Sequence, residues 1–168
     1  MKRQSKNSIK PSRNSTIWPD LCVIIPASGK GIRYGKPKAA ALLETGESFL
    51  ERILKTCREA GLERLCPVLD RDTPDMLSSL RLGFQENPDC SHYLIFPVDF
   101  PYVRASTLQA LAKASAAHPA AIIRPAYQGR SGHPIIIPAS QDWHLELPQP
   151  GLAALIHHSG LDILNLEL

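Results

Sequence analysis

The chain has 168 residues, of which 43% are hydrophobic and 21% charged, and this composition is typical of one globular domain with a single core. No apolar run approaches the roughly 20 residues that a membrane-spanning helix requires, and no charged-then-apolar signal peptide precedes the first predicted strand. These features argue against a membrane protein, and we expect a cytoplasmic protein with no membrane partner.

The net charge of +3 is unevenly distributed along the chain. Residues 1–17 contain no acid and five basic side chains, so the remainder carries −2. This segment is too polar to bury a core. Such a tail could touch nucleic acid or acidic lipid, but its cations are few. We therefore expect a disordered basic tail over 1–17, no nucleic-acid partner, and one folded domain over 18–168. The basic residues of the tail are Lys2, Arg3, Lys6, Lys10 and Arg13.

The four cysteines show no C-x-x-C spacing, and no neighbouring histidines complete a zinc pattern. We expect them to be reduced thiols, as is usual in the cytosol. They are Cys22, Cys57, Cys66 and Cys90.

The first half of the chain alternates predicted strands and helices. An apolar, β-branched run at 21–25 predicts a buried strand that leads into a glycine-rich loop at 26–35. Apolar spacing over 48–61 predicts a helix, and 65–69 a second strand. Asp72-Thr73-Pro74 then predicts the start of a helix, with a capping side chain followed by proline.

The second half continues the same alternation. It predicts a strand at 93–98, a helix at 107–118, strands at 121–124 and 134–137, a helix at 151–158 and an apolar end at 161–168. This order predicts an α/β fold: a single Rossmann-like three-layer α/β/α domain with a mainly parallel sheet. Ligands of such sheets bind outside the carboxyl ends of the strands.

A glycine-rich segment follows the first strand: Ala27-Ser-Gly-Lys-Gly-Ile-Arg-Tyr-Gly-Lys-Pro-Lys38. Its glycines let the backbone approach a ligand closely, and successive N–H groups of such a loop bind anions. Arg33 can grip phosphate with its planar fork, and Lys38 can supply a point charge. The spacing matches neither a Walker A loop nor the dinucleotide fingerprint. The segment therefore favours a triphosphate site over an ordinary surface loop.

The pattern A-x-G-x-G-x-R-x-G-x-P-K resembles the signature of the nucleotidyltransferases that attach CMP or GMP to molybdopterin, the MobA-like and MocA-like NTP transferase domains. Gly129-Arg-Ser-Gly-His-Pro134 resembles a segment of their molybdopterin cytidylyltransferase branch. Sugar-phosphate and methylerythritol-phosphate nucleotidyltransferases carry related loops, but the methylerythritol enzymes have a longer insertion before the lysine. The resemblance implies a fold like that of the nucleotide-diphospho-sugar transferases.

The resemblance also assigns residues to the nucleotide. Arg33 and Lys38 would contact the triphosphate and take part in catalysis, and backbone near 27–29 would meet the base. The nucleotide-binding residues expected in this way are Ala27, Ser28, Gly29, Lys30, Gly31, Arg33, Lys38 and Ser79.

Asp99 lies in Pro97-Val-Asp-Phe-Pro101, directly after a predicted strand. A carboxylate there is a hard ligand suited to Mg²⁺, which proteins commonly hold by one or two carboxylates plus substrate phosphates. Alternatively, it caps the next turn. The segment resembles the family's P-x-D-x-P, whose aspartate binds Mg²⁺, so Asp99 is expected to bind the metal and to be catalytic.

Two weaker resemblances concern the rest of the site. Asp75-Met-Leu-Ser-Ser-Leu80 is similar to a family helix start that lines the nucleotide pocket, although Asp75 replaces the usual glycine. An ordinary amphipathic helix explains this segment equally well. Gly132 and His133 would face the acceptor substrate, but a plain hairpin turn is the alternative.

The end of the chain departs from the family, whose members close with an aspartate-rich segment that supplies a second metal ligand. Here the sequence ends Asp162-Ile-Leu-Asn-Leu-Glu-Leu168. Asp162, Asn165 and Glu167 are the candidates for that position.

The expected reaction is transfer of a nucleoside monophosphate from CTP or GTP to a phosphorylated acceptor, molybdopterin by resemblance, with Mg²⁺ as cofactor. Two alternatives stay open: a sugar- or alditol-phosphate nucleotidyltransferase, and a nucleotide-binding protein without catalysis. The sequence is compatible with a homodimer and does not determine the oligomeric state.

Overall fold

A computed structural model of the chain describes residues 18–27, 38–69, 73, 75–141, 143 and 151–168, with the side chain of residue 38 excepted. The expected tail over 1–17 lies outside this range. The described strands are β1 (Leu21–Pro26), β2 (Arg64–Val68), β3 (His92–Ile95), β4 (Ile122–Tyr127), β5 (Arg130–Ser131), β6 (Ile135–Pro138) and β7 (Ile163–Glu167). The helices are α1 (Phe49–Glu59), α2 (Met76–Glu86), α3 (Ala105–Ala117) and α4 (Leu152–Ser159), with a short 3₁₀ helix at Lys38–Ala40.

The strands form one seven-stranded sheet in the order β2-β1-β3-β6-β4-β5, and β7 pairs with β4. β1 runs parallel to both β2 and β3, and β4 runs parallel to β7. β6 is antiparallel to its two neighbours, and β5 is antiparallel to β4. Five strands therefore share one direction, which confirms the mainly parallel sheet and shows where it is reversed.

Helices cover both faces of the sheet, which confirms the three-layer architecture. On one face, α1 and α3 pack on buried side chains that include Val23, Ile25 and Phe96. On the other, α2 and α4 pack on a second set that includes Ile24 and Ile95. Alternate residues of β1 thus enter opposite cores, as the two-residue period of a strand requires.

Helix α1 begins where the sequence predicts, because Ser48 and Glu51 form a capping box. The Glu51 N–H donates to Ser48 Oγ at 3.2 Å, and the Ser48 N–H donates to Glu51 Oε2 at 2.8 Å. These two bonds satisfy donors that the first helical turn leaves without partners.

Helix α2 begins later than the start that Asp72-Thr73-Pro74 predicts. The N-cap is Asp75, whose Oδ1 accepts from the Ser78 N–H at 2.7 Å. Leu77, Leu80 and Phe84 lie on the buried face of this helix. The segment at 72–75 offers several side chains that can cap a helix, so its sequence does not by itself fix the first helical residue.

All four cysteines are free thiols. Burial raises the pKa of the Cys57 thiol to about 12, so it stays protonated at neutral pH. Within the described parts of the chain, no helix combines the length and apolarity that crossing a bilayer demands.

Candidate functional site

Three strand ends meet at one edge of the sheet, here called the carboxyl edge. Ile24 of β1 is paired with Ile95 of β3, and Ile95 is paired with Ile135 of β6. Because β6 runs the opposite way, the residues that precede it reach the same edge as those that follow β1 and β3. Ala27, Asp99 and His133 therefore come to one edge, although the sequence separates them widely.

The entrance to the glycine-rich segment is fixed by the sheet. Ala27 is 5% exposed, and its N–H donates to the carbonyl of Val68 at 3.1 Å. This bond extends the β1–β2 pairing beyond β1 and fixes the point at which the segment begins. Residues 28–37 lie outside the described part of the chain, so the roles predicted there stay predictions. They concern Ser28, Gly29, Lys30, Gly31 and Arg33.

Lys38 marks the far end of the same segment. Its backbone begins the 3₁₀ helix Lys38–Ala40, and nothing is described of its side chain. The two described ends of the loop are thus β1 and this short helix. The predicted contact of Lys38 with phosphate stays a prediction.

Asp99 lies in a tight turn directly beyond β3. The Phe96 N–H donates to Ile24 O at 2.9 Å, which extends the pairing of β3 with β1, and the Phe100 N–H donates to Pro97 O at 3.2 Å. Phe96 and Val98 are buried, whereas Asp99 is exposed. Two buried anchors thus present one hard oxygen ligand at the carboxyl edge.

The donor set fits a magnesium ion that takes most of its ligands from substrate and water. Among the described residues, no group of three His, Cys, Asp or Glu side chains is arranged to hold a metal ion. Asp99 is therefore a candidate for one carboxylate ligand, and the described residues do not complete a group of three such side chains with it. Mg²⁺ accepts such sites because it dehydrates reluctantly and binds substrate phosphates.

His133 contacts Phe100, the residue that follows Asp99, through an aromatic pairing that the sequence did not suggest. The rings of Phe100 and His133 are 5.2 Å apart and tilted by 44°. His133 is half-buried, and among the described residues its Nδ1 has no hydrogen-bond partner although the atom is buried. Burial lowers the pKa of this imidazole, which favours its neutral form at pH 7.

Gly132 is positioned by a backbone hydrogen bond to strand β4. Its N–H donates to Pro125 O at 2.9 Å, and a Cβ added at this glycine would meet no heavy atom within 4 Å. The segment predicted to face the acceptor is therefore anchored at the backbone and open on its outer side.

Ser79 takes a more internal place than its predicted contact with the nucleotide suggests. The side chain is fully buried, and its Oγ is 2.8 Å from Thr73 Oγ1 and 3.3 Å from Asp75 O. These bonds tie the preceding loop to the start of α2. A direct contact between Ser79 and a nucleotide stays a prediction.

The three candidates for a second metal ligand are not brought together. Asp162 precedes β7, and its carbonyl accepts from Ile122 N–H at the opposite edge of the sheet. Asn165 Oδ1 accepts from Arg124 Nε at 2.6 Å. Glu167 Oε1 accepts from the Gly129 N–H at 3.3 Å. The described contacts therefore give two of these side chains structural partners and place the third residue away from Asp99.

Comparison with known protein families gives one match. The model of the MobA-like NTP transferase domain matches residues 65–162, more than half of the chain. This range includes Asp99 and the Gly-His-Pro turn and begins after the glycine-rich loop. No curated protein sequence gives a significant match.

Solved structures share the fold at low identity. Rv0371c from Mycobacterium tuberculosis H37Rv is 20% identical, with a TM-score of 0.70 over 88% of this chain and 87% of that one. A second structure of that protein is a complex with manganese, with 18% identity, a TM-score of 0.70 and coverage of 90% and 89%. The 2-C-methyl-D-erythritol 4-phosphate cytidylyltransferase of Thermus thermophilus is 16% identical, with a TM-score of 0.65 and 88% coverage of each chain.

Proposed function

We propose, since this chain belongs to the family of MobA-like NTP transferase domains, that it transfers a nucleoside monophosphate from CTP or GTP to a phosphorylated acceptor and releases pyrophosphate. The chain is a nucleotidyltransferase, and the proposal concerns its nucleotide, acceptor and metal. The observation that carries the proposal is the exposed Asp99 at the carboxyl edge, beside the strand that delivers the glycine-rich segment.

The proposed cofactor is Mg²⁺, held by Asp99. One exposed carboxylate suits an ion that completes its shell with phosphate oxygens and water. The manganese complex of Rv0371c supports use of a divalent metal by a protein of this fold. When bound, the ion would neutralise negative charge that develops as pyrophosphate departs.

The proposed nucleotide is CTP, with GTP as the second candidate. The Gly-His-Pro turn resembles the cytidylyltransferase branch, and a solved structure of the same fold is a cytidylyltransferase. The proposed acceptor is molybdopterin. Because that structural neighbour is named for 2-C-methyl-D-erythritol 4-phosphate, an alditol phosphate is the acceptor to test beside it.

The proposed chemistry is a single in-line displacement. An oxygen of the acceptor phosphate forms a bond to the α-phosphorus of the NTP, and the bond from that phosphorus to the bridging α–β oxygen breaks. The electron pair leaves with pyrophosphate, and no covalent intermediate with the protein is required. The chain contributes positioning and charge: Arg33 and Lys38 hold the triphosphate, and Asp99 holds the metal.

Pyrophosphate release tests the proposal directly. The full chain is incubated with CTP, GTP, ATP or UTP in Mg²⁺, with molybdopterin, with an alditol phosphate, or without acceptor. We expect release with CTP or GTP only when an acceptor is present. Nucleotide binding without release for any acceptor would contradict the proposed reaction and favour a protein that only binds nucleotide.

A further inference from the structure

His133 precedes β6, which is separated from β1 by the strand that leads to Asp99. In the sheet, β3 lies between β1 and β6. The glycine-rich segment follows β1, Asp99 follows β3, and His133 precedes β6. The end of β1 and the residues before β6 therefore lie on opposite sides of β3, the strand that leads to Asp99. Because the proposed nucleotide site begins at the end of β1, we expect the second substrate on the β6 side, where His133 lies.

The two nitrogens of this imidazole are in different surroundings. Nδ1 is buried without a partner among the described residues. The side chain as a whole is only half-buried, so Nε2 is the nitrogen left to meet a ligand. A neutral imidazole carries one N–H, and burying that donor at Nδ1 without a partner would cost the whole of its hydration. Placing the proton on Nε2 leaves it able to donate.

Phe100 fixes the orientation of this ring. The centroid of its ring is 5.2 Å from that of the His133 ring, so the two rings pack together. Phe100 is also 39% exposed, so it borders the open edge of the sheet. Phe100 is joined to Asp99 along the chain, within the turn closed by its bond to Pro97. The turn that presents the metal carboxylate therefore also carries the aromatic support of His133.

We propose that His133 donates a hydrogen bond from its Nε2–H to an oxygen of the acceptor's phosphate, and that Phe100 is the residue that positions it. This inference rests on the proposed function and assigns His133 a role other than general base. A phosphate is already mostly ionised at pH 7, since its second pKa is about 6, so the attacking group needs orientation rather than deprotonation.

The tautomer is measured first, on the unmodified protein by long-range ¹H–¹⁵N NMR of its histidines. His158 is an internal reference for the opposite state, because its Nδ1 is 2.9 Å from the carbonyl of Ala154 and must donate to it. His92 is a reference for an Nε2 that faces a carbonyl, at 3.0 Å from Pro119 O. We expect His133, identified by the signal lost in His133→Gln, to carry its proton on Nε2. A proton on Nδ1 would overturn the proposal.

Two substitutions of His133 then distinguish a hydrogen bond from Nε2 from one made by Nδ1. Glutamine places an amide N–H near the position of Nε2, whereas asparagine places one near that of Nδ1. Inorganic phosphate is the probe, and its binding in the presence of Mg²⁺ and CTP is measured by calorimetry. We expect wild type and His133→Gln to bind it similarly and His133→Asn about tenfold more weakly, as for loss of one charge-assisted bond. Equal affinities in both variants, or no binding by wild type, would contradict the donor role.

Phe100→Leu tests whether Phe100 positions the His133 ring. We expect His133 in this variant to show a mixture of both tautomers with the fold unchanged. A single Nε2–H tautomer in the variant would show that Phe100 does not position His133. Because the tautomer is read without turnover, the measurement also separates the two hypotheses. An Nε2–H histidine whose replacement by asparagine weakens phosphate binding, in a protein that releases no pyrophosphate, would leave the donor role standing while the proposed reaction fails.

Discussion

Arg124 donates from Nε to Oδ1 of Asn165 at 2.6 Å, across the parallel pair formed by β4 and β7. The two residues are direct neighbours in the register. Asn165 is one of the positions at which the resemblance would place a metal-binding aspartate. In this chain it orients a guanidinium instead, and a cation beside this position opposes metal binding there.

Asn165→Asp tests that interpretation. We expect the new carboxylate to pair with Arg124, because a charge-assisted bond to guanidinium is stronger than the amide contact that it replaces. Metal affinity, measured by Mn²⁺ titration with CTP present, should stay within about twofold of wild type, since Arg124 neutralises the added charge. A large gain in affinity would show that the position is a metal site lacking only its carboxylate.

Lys38→Ala should weaken nucleotide binding. If the ammonium makes a charge-assisted hydrogen bond to phosphate, its loss costs about 1.5–3 kcal/mol. Isothermal calorimetry with CTP measures the change, and Lys113→Ala is the matched control, because Lys113 is an exposed lysine on α3 to which no role in the site is assigned. Unchanged affinity in Lys38→Ala would remove this lysine from the triphosphate site.

Asp75→Ala should destabilise the fold through the cap of α2. The free energy of unfolding is expected to fall by about 0.5–2 kcal/mol at pH 7. The hydrogen bond from the Ser78 N–H lowers the pKa of Asp75. The contribution is therefore complete above the unfolded-state pKa and is lost as pH falls through the folded-state value, below about pH 4.

Urea denaturation across pH measures this effect, and Asp75→Asn is its control. Asparagine is also a good cap but does not titrate. We expect the Asp75→Asn variant to keep most of the stability and to lack the acid-side loss. Identical pH profiles for wild type and this variant would show that the carboxylate does not carry the effect.

Gly83→Ala tests the contact between α2 and β1. A Cβ at Gly83 would lie 2.7 Å from Cγ2 of Ile24, which is fully buried. Alanine gains about 1 kcal/mol over glycine in a helix, but overpacking a core costs about 1–3 kcal/mol. We expect a net loss of stability in chemical denaturation.

The Ile24→Ala background supplies the control for this clash. The γ-carbons of Ile24 are absent there, so Gly83→Ala should become neutral or stabilising, and a double-mutant cycle measures the coupling. Gly132→Ala, with no heavy atom within 4 Å of its added Cβ, should leave stability nearly unchanged. Equal effects of Gly83→Ala in both backgrounds would show that Ile24 does not limit this position.

Local patterns predict most elements of the fold because their causes lie within a few residues. The Ser48 capping box begins α1, and the apolar run at 21–25 forms the centre of β1. The direction of β6 is not predicted, because an apolar run such as 135–137 has the same period whichever way it runs. The start of α2 at Asp75 is likewise not predicted, because several neighbouring side chains at 72–75 can cap a helix.

The site is predicted only in part for the same reason. The position of Asp99 beyond a strand is predicted because the apolar run before it is local, and its role as a metal ligand stays a prediction. Phe100 was missed as a partner of His133, since 33 positions separate them and nothing local links an aromatic residue to a distant turn. The strand β7 and the bond from Arg124 to Asn165 also depend on long-range pairing, so the apolar stretch at the end gives no sign of them.

The central claim is that Asp99 is the carboxylate that holds Mg²⁺ for nucleotidyl transfer. Asp99→Asn keeps the shape and removes the charge. Asp162→Asn is the matched control, because Asp162 is exposed and precedes β7 at the opposite edge of the sheet. Nucleotide titrations with and without Mg²⁺ accompany the assay, to separate loss of metal from loss of nucleotide.

The decisive measurement is pyrophosphate release by these two variants beside wild type, with Mg²⁺, CTP or GTP and the acceptor that supports turnover. We expect Asp99→Asn to abolish release while metal-free nucleotide binding is retained or strengthened, since an anion facing the phosphates is removed. Asp162→Asn should turn over like wild type. Normal turnover by Asp99→Asn would contradict the assignment of the metal site and the mechanism built on it.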